Sequence, residues 1–159
     1  MYLIAHRGLI NGPDTDQENK TQTIEIALNN GFDVEVDLWL LNNKFYLGHD
    51  KNKLEEVNFN FIQTHKEKLW IHTKNFEVLN FLSFESRRDN FHYFWHQEDN
   101  YTITSKNIPW VYSGCKEIQS GILVLPENHM NINQINKFDV IGICSDYIFN
   151  IREKITKID

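Results

Sequence analysis

Cysteine, proline and basic residues are all in short supply in this chain, and each shortage narrows what it can be. Only two cysteines occur, Cys115 and Cys144, in no CxxC or zinc-ligand spacing. A disulfide framework is thereby excluded, and both read as free thiols of a reducing compartment. Three prolines and seven glycines are too scattered to form a linker, so residues 1–159 are read as one domain. Basic side chains number 16 against 22 acidic ones, a net charge of −6. That balance leaves no basic stripe for a nucleic acid, although a few local cations or a bound metal can still dominate one pocket. Long apolar runs are missing too: Met1–Ala5 stops at His6-Arg7, far short of an export signal or a spanning helix. The expectation is a cytoplasmic protein with no membrane partner. A hydrophobic share of 41%, with 13% aromatic, excludes a disordered chain.

What is present is a series of short apolar runs. Tyr2-Leu3-Ile4-Ala5 reads as a buried strand opening into a loop at His6-Arg7-Gly8. Ile24, Ala27 and Leu28 predict a helix over residues 23–30, stopped by Gly31. Residues 34–40 alternate as a strand, with Val34, Val36 and Leu38 on one face and Glu35 and Asp37 on the other. A return arm over 44–48, a strand over 69–71 and a helix over about 76–83 follow. Residues 91–95, 102–104 and 110–112 are strand-like but only a few residues apart. A parallel crossover needs roughly ten to twelve residues, so full helices cannot fit there. Two more buried strands, 121–125 and 140–144, flank a short helix at 131–136. The tail aligns Ile148, Ile151, Ile155 and Ile158 on one helical face. The count comes to eight core strands. A (β/α)8 barrel typically needs roughly 200 residues or more, so this α/β chain reads as a trimmed, irregular TIM-like barrel with helices missing in its middle. An open α/β sheet of fewer strands competes, and periodicity does not choose between them.

The chemistry-bearing residues cluster where apolar runs end. His6 and Arg7 follow the first strand, His49 and Asp50 the return arm, His72 and Lys74 the third strand, and Ser145 and Asp146 the last. In a parallel barrel or sheet such ends converge on one site. Glu35 and Asp37, two apart on a strand that should be central, need a cation or donors to be tolerated there. The set suits a phosphodiester. Two carboxylates can hold Mg²⁺ or Ca²⁺, and His72 could add a nitrogen ligand that Mn²⁺ or Zn²⁺ accepts more readily. Arg7 and Lys74 can bind non-bridging oxygens, while two histidines act as base and acid across the scissile bond.

These residues resemble the glycerophosphodiester phosphodiesterase family, within the superfamily that includes the phosphatidylinositol-specific phospholipases C. Ile4-Ala5-His6-Arg7-Gly8 resembles its HRG strand, Glu18-Asn19-Lys20-Thr21 its ENT segment with a lysine inserted, and Gly31–Asp37 its G-x-D-x-E-x-D metal strand. Phe45–Asp50 resembles its V-x-x-HD arm, and Gly142–Tyr147 its closing G-x-x-TD-x-P strand, with serine for threonine and no proline. The resemblance implies a TIM-barrel-like fold, Glu35 and Asp37 as metal ligands, His6 and His49 as the acid/base pair, and Arg7 on the phosphate. By the same matches Glu18, Asn19 and Asp146 are assigned to substrate binding. Where the family has E-x-K, this chain has His72-Thr73-Lys74. The runs Trp70–Asn75 and Phe94–Gln97 resemble a short bacterial-type subgroup and imply that Asn75, His96 and Trp110 line the pocket. Glu127, just past a strand end, is a candidate replacement ligand.

The expectation is a metal-assisted phosphodiesterase acting on a small glycerophosphodiester-like or sugar-phosphate diester. Two alternatives stay open: a phosphate- or sugar-phosphate-binding module without turnover, and a metal-free phospholipase C-like enzyme. Missing helices would expose apolar strand surface that a second subunit could cover.

Overall fold

The eightfold alternation expected from the strand count does not form. A computed structural model describes residues 1–114, 120–137 and 139–155; Cys115 and Ile158 lie outside the described residues. Among these residues there are ten strands and only four α-helices, arranged as a strongly curled mixed sheet. The strands are β1 (Tyr2–Ala5), β2 (Asp33–Leu41), β3 (Lys44–Leu47), β4 (Glu55–Val57), β5 (Leu69–Thr73), β6 (Tyr93–Trp95), β7 (Tyr101–Ile103), β8 (Pro109–Tyr112), β9 (Ile122–Val124) and β10 (Gly142–Ser145). The helices are α1 (Thr21–Asn29), α2 (Phe59–Thr64), α3 (Phe76–Asp89) and α4 (Ile148–Ile155). The (β/α)8 TIM-like barrel is therefore corrected to a half-barrel.

The physical reason lies in the connections. Five residues join β6 to β7 and five join β7 to β8, too few for a crossover, so β7 and β8 pair as an antiparallel hairpin. A second antiparallel unit, β3 and β4, folds back on the far half of β2. Between these hairpins seven strands run parallel, in the order β6-β5-β2-β1-β10-β9-β8. The curl brings β7 back beside β6, where the Ser105 N–H donates to the Tyr93 carbonyl at 2.8 Å. No ladder joins those two strands among the described residues.

The sheet is apolar on both faces. On the convex face Val34, Val36, Leu38 and Ile71 pack with Ile24 and Ala27 of α1, Val78 and Leu82 of α3, and Ile148 and Ile151 of α4. The concave face has its own core of Ile4, Trp70, Phe94, Trp110, Ile122, Val124 and Cys144. Alternation then places His6, His72 and Asp146 two residues beyond Ile4, Trp70 and Cys144, so an apolar floor gives way to a polar rim. Cys144 is fully buried in that floor, where burial first and then Glu35 push its thiol well up; it is an inert packing residue. No helix among the described residues is long and apolar enough to cross a membrane.

Beneath the rim, His92 packs against Trp70 with ring centroids 3.8 Å apart and is hydrogen-bonded to Thr104 Oγ1 at 2.8 Å. Burial, with Lys106 adding to it, pulls its imidazole down to about 3. The unfolded chain takes up this proton near 6.5, whereas the folded chain refuses it until about 3. The contribution is therefore complete above the unfolded value and is lost as the pH falls. His92→Gln should remove a slope of about 1.4 kcal/mol per pH unit from the stability profile between about pH 6 and pH 4. Urea unfolding of both proteins across that range checks this, and parallel profiles would refute it.

Candidate active site

Because seven strands are parallel, their carboxyl ends share one rim, and residues remote in sequence meet there. His6, Arg7, Glu35, His49, His72, Lys74, His96 and Trp110 line a single cavity of about 510 Å³. Asp37 lies behind them, fully buried. Its Oδ2 accepts from Asn19 Nδ2 at 2.9 Å and lies 3.1 Å from Arg7 Nε and 3.4 Å from His49 Nδ1. Its Oδ1 lies 2.9 Å from His72 Nδ1 and 3.4 Å from Lys74 Nζ, yet has no aligned hydrogen-bond partner. Burial would raise this carboxyl, but the Arg7 charge close against it acts the other way, and it is held well below its usual range. Glu35 goes the other way: burial and then the Asp37 charge push it up. Its Oε2 accepts from the Arg7 backbone N–H at 3.1 Å.

Hydrogen bonding settles which nitrogen of each imidazole carries the proton. His6 Nδ1 is 2.8 Å from Asp146 Oδ1, and a carboxylate only accepts, so Nδ1 is protonated and neutral His6 turns its Nε2 lone pair to the cavity. Burial opposes the His6 charge, but the bond to Asp146 and the field of Glu35 outweigh it, so its pKa is raised. His49 is the mirror case. Arg7 Nη2 donates to its Nδ1 at 2.7 Å and Lys74 Nζ lies 3.3 Å away, so the proton of neutral His49 sits on Nε2. His72 donates from Nε2 to the His96 carbonyl at 2.8 Å, leaving Nδ1 toward the carboxylates. Arg7 also donates to Glu18 Oε2 at 2.9 Å; despite burial, Asp37 and Glu35 keep it firmly charged.

Glu35, Asp37 and His72 each offer a ligand atom within 4.8 Å of one another. A neutral His72 points a lone pair at Asp37 Oδ1, which itself lacks a hydrogen bond. A divalent cation resolves that opposition, and the anchoring of the other ring nitrogen on a carbonyl is what metal-bound histidines do. The residues thus fit a metal, and two carboxylates with one imidazole fit Mn²⁺ or Zn²⁺ better than Mg²⁺ or Ca²⁺.

Other expected residues sit close by in different roles. Glu18 braces Arg7, and Asp146 holds His6. Asn75 bonds both the N–H and the carbonyl of Leu40, and its Oδ1 also accepts from Val78 N–H at the start of α3; it ties β2 to α3 and does not line the cavity. The Glu127 carboxylate accepts from Ser145 Oγ and from Asp146 N–H, each at 2.9 Å, outside the metal cluster. The cavity also has a wall that sequence reading did not assign: Phe94, Trp95, Gln97, Glu98 and Tyr112. The Phe94 ring stacks on His72, centroids 5.1 Å apart and planes 6° apart. The signal available was the aromatic run at the end of β6 and Tyr112 at the end of β8, strand ends like the others but carrying apolar chemistry.

Comparison of the chain with protein-family models, curated proteins and solved structures finds no match. The likeness to glycerophosphodiester phosphodiesterases accordingly stands on the motifs themselves.

Asn19 braces the rim from below. It is buried, sits at φ 57°, and brackets Asp37 by also accepting the Asp37 backbone N–H at 2.9 Å. Asn19→Ala should destabilise the fold by about 2–4 kcal/mol, from an orphaned buried donor and a strained backbone. Asn19→Gly, which relieves only the backbone, should recover about 1 kcal/mol. Chemical denaturation of the three proteins measures both, and an unaltered midpoint for Asn19→Ala would contradict the bracing role.

Proposed function

We propose that this protein is a metal-assisted phosphodiesterase of glycerophosphodiesterase type, acting on a small glycerophosphodiester-like or sugar-phosphate diester. The observation that carries the reading is the pair of opposite tautomers on one cavity: His6 offers a lone pair and His49 offers a proton, with Arg7 and Lys74 between carboxylates and cavity. Cleavage of a P–O ester bond needs this combination of a base, an acid and fixed positive charge.

His6 Nε2 takes the proton of the nucleophile, either water or a substrate hydroxyl beside the phosphate, and Asp146 stabilises the resulting imidazolium. His49 Nε2–H donates a hydrogen bond to the departing alkoxide and steadies its charge, with Arg7 and Lys74 turned to its Nδ1; the alkoxide takes its proton from water, and His6 returns its own to the solvent. Arg7 has five N–H groups. Those not engaged by Glu18, His49 and Asp37 are available to phosphoryl oxygens. Glu35, Asp37 and His72 would hold the cation, which when bound supplies Lewis-acid stabilisation of the phosphoryl charge. The surplus of acidic side chains supports a small-molecule substrate over a nucleic acid.

A second reading has its own observation. Lys74 Nζ, 3.4 Å from Asp37 Oδ1, already brings a positive charge to the carboxylate, as a metal-free site would require. Hydrolysis of bis(p-nitrophenyl) phosphate separates the readings. Turnover should be abolished by EDTA and restored by Mn²⁺, and His6→Ala and His49→Ala should each lower kcat about 10²-fold or more. EDTA-resistant turnover would replace the proposal with the metal-free enzyme. No turnover with Mg²⁺, Ca²⁺, Mn²⁺ or Zn²⁺ would replace it with a binding module.

A further inference from the structure

Glu127 is half-buried at the rim, outside both the cavity lining and the carboxylate–imidazole cluster. Its place is set by an unusual backbone. After β9, Leu125 adopts a left-handed conformation, φ 49° and ψ 54°, held by its N–H donating to the Cys144 carbonyl at 2.8 Å. Ser113 Oγ also donates to the Leu125 carbonyl, at 2.6 Å. Pro126 then opens a short 3-10 turn, Pro126–Asn128, that turns the Glu127 side chain under the end of β10.

Both Glu127 oxygens accept from Ser145 Oγ, and one also accepts from Asp146 N–H, all at 2.9 Å. Ser145 is fully buried, and its Oγ in turn accepts from Tyr147 N–H at 2.9 Å. The backbone on either side of Asp146 is thereby clamped. The Asp146 side chain, so aimed, accepts a hydrogen bond from His6 Nδ1–H at 2.8 Å across 140 residues of chain.

We infer that Glu127 is a positioning residue, which through Ser145 and Asp146 fixes the tautomer and aim of His6; the inference rests on the reading of His6 as the general base. Without the Glu127 carboxylate, Asp146 N–H and Ser145 Oγ lose their acceptor, Asp146 is free to rotate, and neutral His6 no longer favours one nitrogen. Small misplacement of a catalytic base costs rate far more than binding, so the loss falls on kcat and spares KM.

The test combines kinetics with nitrogen-15 NMR of the imidazoles at alkaline pH, where His6 is neutral. With bis(p-nitrophenyl) phosphate, Glu127→Ala should lower kcat about ten- to a hundredfold with KM within about twofold. Glu127→Gln, which keeps an acceptor oxygen, should recover most of that loss. In the wild type His6 should show a protonated Nδ1, and in Glu127→Ala a mixture of both tautomers. Unchanged kcat, or a raised KM at unchanged kcat, would overturn the inference. Should Glu127→Ala fail to fold, Ser145→Ala, which removes the serine bonds alone, should show the same kcat loss in smaller measure; wild-type kcat there would overturn it equally. If the wild type cleaves no diester, the phosphodiesterase reading fails by itself. The NMR spectra then still decide for Glu127, since an unaltered His6 tautomer in Glu127→Ala rules its hold out.

Discussion

Everything at the rim is organised around one ionised carboxylate with no access to water. Asp37 is 0% exposed, and a buried charge is tolerated only where opposite charges and donors surround it. Arg7 after β1, Asn19 before α1 and Lys74 after β5 bring it charge and donors, while His49 after β3 joins through Arg7 and His72 on β5 faces its Oδ1. Stripping one partner from a buried ion typically costs about 3–5 kcal/mol, against a whole-domain stability of about 5–15 kcal/mol. The four segments are thus locked to one another by a single side chain. All of these groups but Asn19 also face the cavity, so folding and the assembly of the site are one event.

The sheet makes this convergence geometrically available. Parallel pairing sets Asp37 beside His72 and Glu35 beside Trp70 in register, and β1 flanks the start of β2. His49 has no place in that parallel set and is delivered by the antiparallel arm. Trp39 Nε1 donates to the Gly48 carbonyl at 2.7 Å, and Gly48 N–H donates to the Asp37 carbonyl at 3.1 Å, pinning the residue before His49 to β2. Gly48 is obligatory there: at φ 149° a Cβ would lie 2.5 Å from the Lys53 carbonyl oxygen. The hairpin is the means by which a second imidazole reaches a charge that parallel strands alone could not bring it to.

This division explains what could be read from the chain and what could not. Glu35 and Asp37 on one face of an alternating strand, and the polar residues that follow each apolar run, are local patterns, and local patterns survive folding. The barrel expected from the strand count fails at β7, where the short spacings exclude helices and a strand without crossovers does not stay parallel to its neighbours. Of the two five-residue connections, the one from β7 to β8 closes an antiparallel pair, and the one from β6 to β7 closes no ladder among the described residues. Asn75 follows His72 and Lys74, which do face the cavity, but on leaving β5 its own side chain bonds to β2 instead. Glu127 stands out in the sequence as a carboxylate just past a strand end, but only its tertiary partners separate a ligand from a brace. Sequence order carries no trace of which strand end lies next to which.

Three side chains near the rim share a further property: Arg7, Asn19 and Leu125 all have left-handed backbones, at φ 52°, 57° and 49°, without being glycine. Each costs roughly 1–3 kcal/mol and persists only if its surroundings over-determine it. All three are so determined. Arg7 donates its N–H to Glu35 and its carbonyl accepts from Asn19, Asn19 is bonded at both ends of its amide to Asp37, and Leu125 is held by Cys144 and Ser113. The strain therefore sits where the chain must turn sharply, at Arg7 and Asn19 to aim a guanidinium and an amide at Asp37, and at Leu125 to bring Glu127 under Asp146. A relaxed turn at any of the three would point its side chain elsewhere. The backbone distortion and the buried charge are two expressions of one requirement, that Arg7, Asn19 and the β5 side chains meet within a few ångströms of Asp37 and stay there.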